Sequence, residues 1–464
     1  MTDGAPTTDG SRALLHAEAV SITADLVSID STNTGDPATI GDGETRVCRR
    51  IAEYLDEVGI ASELVESVPG RGSLFARLDG ADPRAGGLVV HGHVDVVPAV
   101  AGDWTVPPFA GEIRDGWLYG RGTVDMKNMI GMVLAVVRHF RREGIVPRRP
   151  LLLAFFADEE AAGIMGAKWV VRERPEIFDG MTHALSEVGG WSVPVAGRRL
   201  YPIAIAEKGV AWGRISAHGT AAHASRPTPD NAVAAIAGAV HRVASTDFPV
   251  APTEANTALA RVVGEIAGVS GEVADLPRHL GVLGHFGPLV AASLSHTASP
   301  TILSAGYKTN VIPAEAFAEI DCRVLPGGED TFRAEIEAEL GPDVSVDWIW
   351  EPPISAPADD PLVGVIREAV RDVDPDSLVV PYLLPASTDN KHLAPLGIDG
   401  YGFVPLRVPD DFDVFGHFHA VDERVPVDAL HFGADVLARV LGSEERRVGK
   451  ECPSLCRSRW APYH

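Results

Sequence analysis

The most constraining stretch of the chain is Leu151-Leu152-Leu153-Ala154-Phe155-Phe156-Ala157, followed at once by Asp158-Glu159-Glu160. A short continuous apolar run is the pattern of a strand buried on both faces, and such strands belong to parallel sheets covered by helices. Three acids at the end of a buried strand repel one another and lose hydration, which is unfavourable unless a cation or a proton compensates. One segment thus predicts a layered α/β sheet and a charged centre at its carboxyl edge, where open α/β sheets bind ligands.

Other segments follow the same scheme. Ser73 to Leu78 and Leu88 to Val97 are strand-like. Leu14 to Ile29, Val47 to Val58 and Lys127 to Phe140 space their apolar residues as helices do, with Ile130, Val133, Leu134 and Val137 on one face of the last. Strands alternating with helices predict a central, mostly parallel sheet flanked by helices. A chain of 464 residues exceeds one ordinary core, so two domains are expected. The style changes after Glu207. Gly209 to Ala217, Thr309 to Leu325 and Val344 to Trp350 read as strands, and Asn231 to Val243 and Thr331 to Leu340 as helices. The expected division is a first catalytic part at 1–206 and an inserted α+β unit at 207–353, which carries an extra stretch at about 253–299. A second catalytic part at 354–442 ends in a helix from Val427 to Leu441.

The formal charge is −24. A surface this acidic repels phosphate backbones and anionic lipid, so neither nucleic acid nor a membrane is an expected partner. Met1 to Gly10 has no basic segment leading into an apolar run, and no apolar stretch is long enough to span a bilayer, so a cytoplasmic protein is expected. Cys48, Cys322, Cys452 and Cys456 are too few and too scattered for a disulfide scaffold. From Ser443 the chain reads SEERRVGKECPSLCRSRWAPYH, basic and without apolar period. It resembles the translation of a sequencing adaptor, and 443–464 are set aside as a non-native tail.

Five segments carry candidate chemistry. His91-Gly92-His93-Val94-Asp95 ends an apolar strand. His93 suits a metal, and Asp95 suits the carboxylate to which a ligating histidine donates its other N–H; a buried histidine satisfied by a polar neighbour is an equal reading. The HxHxD of metallo-β-lactamase-type hydrolases continues with histidine, where this chain has Val96. Asp125, in Gly120-Arg121-Gly122-Thr123-Val124-Asp125, either caps the helix that follows or bridges two cations. In extended backbone Glu159 and Glu160 would point to opposite sides, one toward water and one toward a metal. Glu187 follows another apolar-leaning stretch, and either His417 or His419 could complete a ligand set. Imidazole with carboxylate suits Zn²⁺, with Mn²⁺ or Co²⁺ as alternatives. A bridging carboxylate would hold two metals ~3.5–4 Å apart.

Taken in order, these motifs resemble the co-catalytic zinc metallopeptidases that include glutamate carboxypeptidase, succinyl-diaminopimelate desuccinylase, acetylornithine deacetylase and aminoacylase. The resemblance runs from about Ala19 to Leu441. It implies two Zn²⁺ per chain, with His93, Asp125 (bridging), Glu160, Glu187 and His419 as ligands. It further implies Glu159 as general base and Asp95 as the partner that orients His93. Gly219-Thr220-Ala221-Ala222-His223 matches the family's lid signature, so the inserted unit would be a lid and dimerisation domain, and His223 would reach a partner's site to bind the oxyanion. Asn310 in TNVIP and Arg323 in DCRVLPG match residues that bind the substrate carboxylate. The extra stretch at 253–299 and Tyr401-Gly402-Phe403-Val404-Pro405 look most like the carboxypeptidase S and N-acyl-amino-acid hydrolase branch. The implied activity is hydrolysis of an amide beside a free carboxylate, in a small peptide or N-acyl amino acid, by a homodimer. A dipeptidase or aminopeptidase, and a metal-containing binding protein without turnover, are the competing readings.

Overall fold

The computed structural model describes residues 9–82 and 84–442. The segment set aside as a tail lies outside the described residues.

Leu151–Phe156 is the buried strand its composition predicts. Leu151, Leu153 and Phe155 join one hydrophobic cluster, and Leu152, Ala154 and Phe156 join another on the opposite face. The middle of the main sheet runs Leu151–Phe156, Gly87–His93, Met181–Ser186, Asp399–Gly402, each parallel to the next. Gly72–Leu78 and Arg198–Glu207 extend this run on its two sides in antiparallel pairing. Helices Asp9–Val27, Lys127–Glu143 and Val427–Gly442 pack together on one face, with Ile22, Val133, Val137 and Leu437 in the core. The register sets His93 opposite Phe156, so neighbouring strands end together. Gly87–His93 stops earlier than its hydrophobicity suggests. Val94 donates its N–H to the carbonyl of Phe156 at 2.8 Å, and the chain then leaves the sheet.

A second sheet is antiparallel, in the order Thr297–Ala305, Glu315–Val324, Gly209–His218, Ser345–Glu351. Helices Ala232–Ala244 and Glu329–Leu340 cover one face around Ile215, Ile236, Phe332 and Ile336. The helices of the extra stretch do not join this unit. Glu254–Ala267 and Gly287–Ser293 pack on Leu378–Leu384, and Leu259, Val263, Phe286 and Val290 belong to the main core. Only its final residues, in Thr297–Ala305, enter the second sheet. Among the described residues no helix is long and apolar enough to cross a membrane.

Candidate active site

Three neighbouring parallel strands deliver polar groups to one edge. His93 ends Gly87–His93, Asp158-Glu159-Glu160 follow Leu151–Phe156 closely, and Glu187 follows Met181–Ser186. Asp125 comes from the loop before Lys127–Glu143, and His419 from the loop before Arg424–Pro426. His93 Nε2 is 2.9 Å from Asp125 Oδ1 and 3.5 Å from Glu187 Oε2. His419 Nε2 is 3.1 Å from both Asp125 Oδ2 and Glu160 Oε2. Asp125 therefore offers one oxygen to each imidazole. Donor atoms of His93, Glu159 and Glu187 lie within 4.8 Å of one another, as do those of His93, Asp125 and Glu160.

The charges do not cancel. Burial pushes Glu159 well above the usual carboxylate range, and the charge of Glu187 adds to it. Burial likewise raises Glu187, to about 7, against the pull of His93. Glu160 is raised by burial and by Asp125. His419 rises to about 10 through its hydrogen bonds to Asp125 and Glu160. Among the described residues Glu160 Oε1 has no hydrogen-bond partner although it is buried. Crowded acids and an orphaned buried oxygen are what a divalent cation relieves. The mixed nitrogen and oxygen donors fit one.

Backbone geometry sets these positions. Asp158 takes a left-handed conformation (φ 67°), and Glu159–Ala161 form a 3-10 turn rather than extended chain. The separate directions of Glu159 and Glu160 thus come from a turn, not from strand alternation. The carboxylate of Asp95 holds that turn, accepting the N–H of Glu159 and of Glu160 at 3.1 Å each, while Asn33 Nδ2 donates to it at 2.9 Å. The same carboxylate is 3.5 Å from His93 Nδ1, whose shorter contact is the carbonyl of Asp95 at 3.0 Å. Asp125 is not a helix cap, for Met126 occupies that position. Val188 and His419 both have φ near 60°. Left-handed backbone at such residues is sparsely populated and clusters at functional sites.

Of the two late histidines, His419 joins the cluster. His417 gives Nδ1 to the carbonyl of Asp413 at 2.8 Å and packs on Phe412. His91 is bound to Asn390 Oδ1 at 2.8 Å. Glu423 plays a part that its sequence context does not signal. It is fully buried and accepts N–H groups from Val124 at 2.7 Å, Gly122 at 3.0 Å and Asp125 at 3.1 Å, and Arg121 Nη1 at 2.9 Å. It thereby shapes the loop that presents Asp125. Glu423→Ala is expected to lower stability by about 3–5 kcal/mol, because Arg121 is left buried and uncompensated. Urea unfolding measures this, and an unchanged midpoint would mean that the loop finds other acceptors.

The remaining predicted residues make no hydrogen bond or ion pair with the cluster among the described residues. His223 is exposed, pairs in a short ladder with Val311, and bonds Ser225 Oγ at 2.8 Å. Asn310 accepts the N–H of Ala224 on its carbonyl, so it neighbours the His223 turn. Arg323 directs its fork at Asp321, with Nε and Nη2 at 2.6 and 2.9 Å from the carboxylate oxygens.

With this geometry in place, the family model described as Peptidase family M20/M25/M40 is found to match residues 89–443. The chain belongs to this family. Bovine (Bos taurus) N-fatty-acyl-amino acid synthase/hydrolase PM20D1 is 28% identical over 82% of this chain and 78% of its own length. Human (Homo sapiens) aminoacylase-1 is 27% identical over 84% of this chain and 87% of its own. The M20 family metallo-carboxypeptidase Sso-CP2 from Sulfolobus solfataricus has the same fold, with a TM-score of 0.68 at 16% identity over 92% of this chain and 98% of that one. The M20 chain is accordingly an enzyme of the metallopeptidase and amidohydrolase class. Its His, Asp and Glu cluster could hold a metal ion, as expected of a metal-dependent family.

Proposed function

We propose that the chain is a di-zinc amidohydrolase that cleaves the amide of an N-acyl amino acid or small peptide beside a free carboxylate. The observation that carries this reading is Asp125, a buried carboxylate with one oxygen on His93 and the other on His419. His93 and Glu187 would hold one zinc, Glu160 and His419 the other, and Asp125 both. Zinc bound there supplies Lewis acidity and a water of lowered pKa.

The chain's own residues supply the proton transfers. Glu159 is half-buried beside the cluster with a raised proton affinity. It takes a proton from the attacking water as the carbon–oxygen bond forms, and passes it to the amine nitrogen as the carbon–nitrogen bond breaks. Asp95 fixes the Glu159–Glu160 turn through both backbone N–H groups. Arg323 and Asn310 would take the substrate carboxylate, for which a planar guanidinium is suited; the substrate then replaces Asp321 on the fork. The match to a relative named as an N-fatty-acyl-amino acid synthase/hydrolase supports acyl amino acids as the substrate class.

His223 is the oxyanion donor in this reading. It makes no hydrogen bond or ion pair with the cluster of its own chain among the described residues, so it would act in the partner of a homodimer formed through the lid. A mixture of His223→Ala and Glu159→Ala chains is expected to regain activity that neither homodimer has, since one site then holds both groups. Verified heterodimers without activity would exclude a shared site.

The function itself is tested by release of free amino acid from a panel of N-acyl amino acids and dipeptides. Release abolished by a chelator and restored by zinc is expected. Hydrolysis of no member by zinc-loaded protein would contradict the proposal.

A further inference from the structure

Behind the turn that carries Glu159 and Glu160 lies a charge network that takes no part in the proton transfers above. Arg71, Glu44, Asn33, Asp95 and Asp158 are all buried. Topology brings them together. Gly72–Leu78 runs antiparallel to Leu151–Phe156, with Leu74 opposite Phe155, so it starts at the edge where the parallel strands end. Arg71, immediately before it, is thereby set beside Asp158. Glu44 comes from the first turn of helix Gly43–Asp56. Asn33 is tied to the chain beyond His93, with its N–H on the carbonyl of Val96 at 2.9 Å.

Arg71 grips two of these residues at once. Nη1 donates to Glu44 Oε2 at 2.6 Å and Nη2 to Asn33 Oδ1 at 2.8 Å, while Nη2 is 3.5 Å from Asp158 Oδ1. Both partners reach onward to the turn. Glu44 Oε1 accepts the N–H of Asp158 at 2.8 Å. Asn33 Oδ1 is taken by Arg71 and by the N–H of Gly35, which leaves Nδ2 to face the acids. That amide nitrogen donates to Asp95 Oδ2 at 2.9 Å and to Asp158 Oδ1 at 3.1 Å. Asp158 opens the turn in its left-handed conformation, which the surroundings must over-determine at a residue other than glycine. Among the described residues no other cation pairs with Glu44 or Asp158.

We propose that Arg71 is a positioning residue for the amide hydrolysis: its fork orients Glu44 and Asn33, and through them fixes the turn that aims Glu159 and Glu160. The inference rests on the amidohydrolase reading above and adds a residue that is not itself a candidate ligand. Lysine would keep the charge, but a point donor lacks the rigid fork that holds both partners.

The test uses the full chain at saturating zinc and the best substrate of the N-acyl amino acid panel. Arg71→Lys and Asn33→Ala both leave the net charge unchanged. Each is expected to lower kcat by roughly 10- to 100-fold, the usual effect of displacing a support around a metal centre, with KM near that of wild type. Zinc affinity, read by titration of the metal-free chains, is expected to fall as well, because Glu160 rides on the same turn. Arg71 acts partly through Asn33, so the double variant is expected to lose clearly less than the product of the two single losses. Wild-type kcat in either single variant, whatever its Tm, makes the network purely structural and overturns the inference. Losses that multiply in the double variant overturn the route through Asn33. If Arg71→Lys does not fold, Asn33→Ala decides by the same readings. These results leave the amidohydrolase reading standing, whereas hydrolysis of no panel member by wild type overturns both.

Discussion

Glu159→Ala is expected to keep its fold and its metals while losing turnover by about 10²–10⁴-fold, the usual contribution of a positioned general acid or base. Glu159 lies in one of the two donor trios, and its turn is held by backbone N–H groups donated to Asp95, not by its own side chain. Removing the side chain therefore takes away the proton carrier and leaves His93, Asp125, Glu160, Glu187 and His419 in place. Steady-state kcat, read beside metal content and the circular dichroism spectrum, separates the outcomes. A variant with full metal and near-normal kcat would assign the base elsewhere. A variant that loses metal would make Glu159 a ligand, the role its distance from His93 and Glu187 would then explain.

The larger effect is expected at Asp125. Its carboxylate has one oxygen on His93 and the other on His419. Asp125→Ala should remove zinc-dependent activity and also the stabilisation that zinc gives the folded state. That stabilisation amounts to about 4 kcal/mol when free zinc stands near 1,000 times its Kd. Thermal unfolding with and without zinc measures the difference. Wild type should show a zinc-dependent rise in Tm and Asp125→Ala should show none. Protons compete for the same oxygens. Burial places Glu187 at about 7, so a proton must leave before it can serve a cation, and zinc affinity is expected to weaken as pH falls through that value. An equal zinc-dependent rise in both proteins would show that the cation binds elsewhere.

How much of this was legible in the sequence depends on the reach of each signal. The run ending in Asp158-Glu159-Glu160 carried both the parallel sheet and the acidic edge, because burial and charge conflict within ten residues of chain. The gathering of His93, Asp125, Glu160, Glu187 and His419 could be anticipated only from ordered motifs, since no spacing rule brings Asp125 to His419. Glu423 was not legible, because it acts on backbone N–H groups some 300 positions away and carries no local mark of that task. The choice between His417 and His419 was decided by the tertiary fold, which ties His417 to Asp413. The helix Glu254–Ala267 has an apolar face that periodicity reveals, yet periodicity does not say which sheet will cover it. The fold sends it to Leu378–Leu384.

The most direct test of the central claim is metal stoichiometry by elemental analysis after zinc loading, in wild type, Glu187→Ala and His419→Ala. Two zinc ions sharing Asp125 predict about two per chain in wild type and a reduced number in each variant, since each lacks a ligand to a different ion. Wild type holding a single ion, or two ions retained undiminished in both variants, would contradict a co-catalytic centre built on these residues.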